Sequence, residues 1–171
     1  MCVTTLDRLV LLPQLLYRWE GPLVLVINGP AQREGEMITY INSHYLPSRL
    51  TVILYLIPTR EKVAFPVNML RNLAIRNIET THYQILDMDL MPTTNTYSEM
   101  MKLPVSLRSG NNAVILPVFF YDRKAMLARC TDLNSCALLS LEADPQNKFE
   151  LEACLQSKVC LASKPGIRTH V

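Results

Sequence analysis

Continuous apolar runs alternate with helically spaced ones through the first half of the chain. Leu23-Val24-Leu25-Val26-Ile27 is an unbroken hydrophobic stretch between Gly21-Pro22 and Asn28-Gly29-Pro30, and Leu50 to Ile57 is a second, interrupted only by Thr51, between Pro47 and Pro58. Runs of this length, rich in Val, Ile and Leu, predict strands buried on both faces. Val3 to Thr5 predicts a shorter first strand. Between the strands the spacing changes. Leu9, Leu12, Leu15, Leu16 and Trp19 recur at helical intervals, which predicts a helix over Asp7–Trp19 with Asp7 as N-cap. Pro13 kinks that helix or starts its better-formed half. Ala31 to Tyr45 predicts a polar helix with Met37, Ile38 and Ile41 inward. Phe65 to Ile78 predicts another, with Pro66 in the first turn and an apolar stripe of Leu70, Leu73, Ala74 and Ile78. His82 to Leu86 reads as a strand running into Asp87-Met88-Asp89, Tyr97 to Lys102 as a short helix, and Ala113 to Phe120 as a further buried strand. The alternation predicts an α/β fold, a mostly parallel sheet with helices on both faces. Past Arg129 the periodicity weakens, which suggests a core over residues 1–129 and a cysteine-bearing tail over 130–171.

Composition removes much of the common enzyme repertoire. The 171 residues are 49% apolar and 19% charged, the balance of a globular chain with a sizeable core. A net charge of +2 is too small to argue for nucleic acid. The 5 glycines are scattered, so no G-x-G-x-x-G loop, Walker A loop or G-x-S-x-G elbow exists. The 3 histidines lie too far apart for an H-E-x-x-H helix. No apolar run approaches the roughly 20 residues of a membrane-spanning helix, and Asp7, Arg8 and Pro13 argue against a signal peptide. Cys130, Cys136, Cys154 and Cys160 form two pairs whose spacing suits tetrahedral zinc poorly. Disulfides, with three connectivities open, and packed free thiols stay as equal alternatives.

The candidate chemistry centres on Asp87-Met88-Asp89. Ligands of open α/β sheets gather beyond the carboxyl ends of the strands, and carboxylates one residue apart on an extended segment share a side. Such a pair suits a hard divalent cation that takes its remaining ligands from a diphosphate and water. Alone the motif is weak, since chance supplies D-x-D in roughly one chain in five at this aspartate content. A strand-end turn is the plain alternative. Asn68, Arg71 and Asn72 share a helix face; Arg71 suits a phosphate or carboxylate there, against the plainer reading of a solvated face. His82 beside Tyr83 reads as packing. Thr169-His170-Val171 has the form of a carboxyl-terminal groove ligand, with little else to support it.

Phe65-Pro66-Val67-Asn68-Met69-Leu70-Arg71-Asn72-Leu73-Ala74, followed by Leu86-Asp87-Met88-Asp89-Leu90-Met91-Pro92, resembles the LARGE-type glycosyltransferases, which include the glucuronyltransferases of dystroglycan glycan synthesis. Leu6-Asp7-Arg8-Leu9, Arg18-Trp19 with Gly21-Pro22, and Ala113 to Phe119 are similar to further segments of that family, so the likeness runs from Leu6 to about Leu127. The resemblance implies a GT-A-like, Rossmann-like fold and metal-dependent transfer of a sugar, such as glucuronic acid or xylose, from a UDP-sugar to a glycan or glycoprotein acceptor. It implies Mn2+ (or Mg2+), with Asp89 and Asp87 as metal ligands and Asp87, Asn68 and Arg71 on the donor. A Golgi-lumen location follows from the family's usual membrane-anchored form. Set against the family, this stretch of sequence is expected to carry no anchor, and the acceptor-side half is expected to be missing or replaced by the cysteine-bearing tail. No catalytic base is matched to the family; Asp122, Glu142 and Asp144 are candidates for one, since an inverting transfer needs a carboxylate near the acceptor hydroxyl. A truncated, non-catalytic nucleotide-sugar-binding or interaction module is the alternative.

Overall fold

The computed structural model describes residues 1–58, 65–109, 112–132, 134–136, 138–139 and 144–162. These fall into two compact units, Met1–Met91 and Pro92–Val171.

The first unit is a four-stranded parallel sheet of β1 (Cys2–Thr5), β2 (Leu23–Pro30), β3 (Leu50–Ile57) and β4 (Leu86–Asp87) in the order β3-β2-β1-β4. The register pairs Val3 with Val26 and with Asp87, and Thr5 with Asn28. A 3-10 helix, Leu6–Leu11, and α1 (Leu12–Arg18) connect β1 to β2. α2 (Glu34–Ser43) precedes β3, and α3 (Val67–Ile75) lies between β3 and β4. From β1 the chain steps outward to β2 and β3, then returns to the other side of β1 for β4. Right-handed crossovers therefore place α3 on the sheet face opposite α1 and α2. The packing agrees. Leu70 and Ala74, both fully buried, seat α3 on Met1, Val3, Val24 and Val26. On the other face fully buried Met37 of α2 lies against Gly29, and the Tyr40 hydroxyl donates to the Leu9 carbonyl at 2.8 Å.

The α/β class and parallel sheet read from the sequence hold, and so does one of the two readings of Pro13: it starts the better-formed half, sitting in the first turn of α1 where its missing N–H is harmless, and the residues before it wind as the 3-10 helix. Four details differ. Asp7 does not cap the 3-10 helix; its carboxylate accepts from Arg33 at 2.9 Å instead. β3 is half-buried rather than buried, because it forms an edge of the sheet. β4 has two residues and pairs only with β1, leaving His82, Tyr83 and Ile85 exposed. Of the polar helix, Ile38 faces solvent.

Cys2, buried in the sheet, carries a thiol that burial pushes up to about 12, so it is a packing residue without nucleophilic character at neutral pH.

The second unit contains α4 (Thr96–Met101), α5 (Val105–Arg108), β5 (Phe119–Tyr121), α6 (Arg123–Leu127), α7 (Lys148–Gln156) and β6 (Cys160–Ala162). β5 and β6 pair antiparallel. The buried strand expected over Ala113–Phe120 is replaced by extended chain with Ile115 92% exposed, and only its end joins a sheet. Two disulfides, Cys130–Cys136 and Cys154–Cys160, resolve the cysteine alternatives in favour of cross-links within each pair. Each closes a short loop, for which chain-entropy arguments give roughly 2 kcal/mol. The second ties α7 to β6 beside the β5 pairing. Reduction is expected to lower protection of amide hydrogens in β5, β6 and α7 while leaving β1 to β3 unchanged, by hydrogen exchange with and without reductant. Uniform protection under both conditions would show that the cross-links carry no stability.

Candidate functional site

The order β3-β2-β1-β4 reverses direction at β1, which makes the carboxyl ends of β1 and β4 a topological switch point, the usual place for a ligand crevice in such sheets. Polar side chains gather there. β4 ends at Asp87, and the chain then turns, with the Leu90 N–H donating to the Asp87 carbonyl at 2.9 Å. Met88 is buried and anchors the turn, while Asp89 is exposed. The two carboxylates thus flank a turn and do not lie along an extended strand. The alternation argument for a shared side fails at Met88, because a two-residue strand ends before the second aspartate.

Each carboxylate holds its own arginine. Arg71 Nη2 donates to Asp87 Oδ1 at 2.8 Å, with the side chains 29% and 48% exposed. Arg8 Nη1 donates to Asp89 Oδ2 at 2.9 Å, with the side chains 52% and 56% exposed. Arg71 comes from the middle of α3, and Arg8 from the 3-10 helix after β1. The first pair therefore ties the helix to β4, and the second spans the switch point between the ends of β1 and β4. Beside them Arg33 bridges Asp7 and Glu36 at 2.9 and 3.0 Å.

Among the buried side-chain atoms without a hydrogen-bond partner in the described residues are Arg71 Nε, a donor, and the Asn28 carboxamide oxygen, an acceptor. Asn28 lies within the buried run of β2, level with Thr5, on the α3 face of the sheet by alternation from Val24 and Val26. Unsatisfied buried groups are rare in native folds and concentrate where ligand or water completes the bonding.

The helix face read from the sequence divides. Arg71 reaches Asp87, Asn68 is exposed near the start of α3, and Asn72 turns toward the β3 side. There it lines a cavity of about 380 Å³ with Tyr55, Met69, Leu73 and Arg76. Asp122 caps α6, accepting from the Ala125 N–H at 3.0 Å. Asp144 accepts a bond from Gln146 through its backbone carbonyl. Glu142 and the Thr169-His170-Val171 terminus lie outside the described residues. Arg8 and Asn28 are the site residues that sequence reasoning missed as ligand-binding candidates.

Among the described residues no three His, Cys, Asp or Glu side chains cluster as a metal cage. Two carboxylates at a strand end are the donor set of a hard cation that completes its shell with diphosphate oxygens and water, so the residues present fit Mn2+ or Mg2+ held in that manner.

Residues 50–158, from β3 through the aspartate turn to α7, match the family described as "Glycosyl-transferase for dystroglycan". The chain belongs to this family. It is 28% identical over 117 residues to the zebrafish (Danio rerio) xylosyl- and glucuronyltransferase LARGE2s, covering 67% of the chain and 16% of the relative. It is 30% identical over 118 residues to human xylosyl- and glucuronyltransferase LARGE1, with the same coverage of 67% and 16%. The rat (Rattus norvegicus) LARGE2 is 24% identical over 154 residues, 83% of the chain and 22% of that relative. The chain thus spans a small part of the length of these glycosyltransferases, a part that includes the Asp87–Asp89 turn and all of α3.

Proposed function

We propose that this member of the dystroglycan glycosyltransferase family binds a UDP-sugar and a divalent cation at the switch point, as the donor half of a transferase acting on a glycan acceptor. The single observation that carries this reading is the placement of Asp87 at the end of β4 and of Asp89 in the turn after it, each paired with a guanidinium from a different element. A strand end with two carboxylates and two arginines offers charges of both signs, as a cation and a diphosphate taken together require. Asp89 is the metal ligand. Asp87, the second carboxylate that would hold the cation, would accept from donor hydroxyls, and Arg71 orients it while offering its unpaired Nε–H to a phosphate or a uronate. Asn68, exposed at the start of α3, lies on the donor side. A bound cation supplies charge stabilisation for the departing diphosphate. The donor sugars we favour are glucuronic acid and xylose, by the names of the relatives. The Cys130–Cys136 and Cys154–Cys160 bonds support passage through an oxidising compartment such as the Golgi lumen. No helix among the described residues is long and apolar enough to cross a membrane.

A second reading has its own support. Asp122, a candidate base, is committed to a helix cap. A binding module that holds the donor without transferring it fits that commitment. UDP-glucuronic acid and UDP-xylose titrated into the full chain with excess Mn2+ should give saturable binding and a clear preference for one sugar. UDP release on adding a glycan acceptor would establish transfer, and donor binding without release the module. Failure of both nucleotide sugars to bind would overturn the proposal.

A further inference from the structure

Arg8 and Arg71 occupy the two aspartates in different ways. Arg71 is pinned: it rises from the packed helix α3, its Nη2 bonds Asp87, and its Nε is buried. Arg8 is free to swing. It stands in the turn after β1, its side chain is more than half exposed, and Asp89 is its one ionic partner among the described residues. The neighbouring carboxylate does not compete for it, because Asp7 is held by Arg33 at 2.9 Å, which Glu36 holds in turn. An oxygen of Asp89 that binds a divalent cation brings that cation against the guanidinium, and like charges part.

We propose that Arg8 is a diphosphate ligand kept in reserve. It pairs with Asp89 while cation and donor are away, and it turns onto the donor diphosphate when the cation takes the carboxylate. The inference rests on the donor site proposed above and adds a residue and a coupling device to it. The planar fork of arginine suits a phosphate as well as a carboxylate, so one side chain serves both states.

Linkage fixes the consequence. Cation alone must break the Arg8–Asp89 pair, and so must diphosphate alone; together they break it once. The pair therefore raises the cooperativity between the two ligands by its own worth. For an exposed ion pair that is roughly twofold to fivefold in affinity, and it is largest at low ionic strength.

The test uses the full chain with Mn2+, followed by its electron paramagnetic resonance, and UDP, followed by calorimetry, each alone and in the presence of the other. Arg8→Gln should bind Mn2+ alone roughly twofold to fivefold more tightly. It should bind UDP in saturating Mn2+ about tenfold more weakly. Its coupling factor should fall by the same twofold to fivefold. Arg8→Lys, which keeps the charge but loses the fork, should recover part of the UDP affinity. Removing a distant positive charge would shift both affinities without touching the coupling factor. A coupling factor equal to that of the wild type would therefore overturn the switch while leaving the donor site standing, provided Asp89→Asn still abolishes coupling. Wild-type chain that binds neither Mn2+ nor UDP would overturn both. Both side chains are exposed, so thermal melting should be unchanged in each variant.

Discussion

Asp89→Asn is expected to abolish the Mn2+-dependent share of UDP binding with little change in melting temperature. The substitution keeps the shape of the turn and removes the charge, and a neutral amide oxygen is a poor ligand for a hard cation that the protein holds through two groups. Stability should change by no more than about 0.5 kcal/mol, because the residue is exposed and its one ion pair is solvated. Asp87→Asn is expected to behave differently. Its carboxylate holds Arg71 at 2.8 Å beside an Nε that already lacks a partner, so weakening that bond disturbs the guanidinium proposed above as a donor ligand. UDP-sugar affinity should fall more than Mn2+ affinity, and stability by about 1 kcal/mol. Calorimetry on both variants separates the roles. Equal and negligible effects of the two would return the motif to a plain strand-end turn.

Arg71→Lys is expected to lower UDP-sugar affinity about tenfold while leaving the melting temperature nearly unchanged. Lysine still reaches Asp87 with one charged donor, and the α3 core of Leu70 and Ala74 against Val3, Val24 and Val26 is untouched. What is lost is the second donor of the fork, the group left free for a phosphate or a uronate. A large fall in melting temperature with unaltered donor affinity would instead make Arg71 a strut between α3 and β4.

The parts of the fold set by local hydrophobic pattern were legible in the sequence. β2, the Leu70–Ala74 stripe of α3 and the short helix α4 lie close to where the spacing put them. An apolar run announces a strand but not its neighbours, so β3 reads as a central strand although it has one partner. Ala113 to Phe120 shows the same weakness. Its Val, Ile and Leu residues match a buried strand, yet Ile115 is exposed and only Phe119–Tyr121 pairs. The pairing of Arg71 with Asp87 joins two candidates the sequence had singled out, one on the helix and one at the end of the strand that follows it, whereas Asp89 lies in the turn and not on the strand. Arg8 was not legible. A lone arginine after a short strand carries no spacing signal, and its partner lies 81 residues away. Only the strand order, with β4 returning to the side of β1, brings the two together. Asn28 is hidden for a related reason: Asn-Gly-Pro reads as a turn, whereas the β2 ladder continues through it to Pro30.

The central claim is that cation and nucleotide share one site built on Asp87 and Asp89. UDP titrated into the wild-type chain, first with excess Mn2+ and then with excess chelator, tests it most directly. Most of the UDP affinity should disappear in chelator and return when Mn2+ is restored; undiminished affinity in chelator would contradict a cation-dependent donor site.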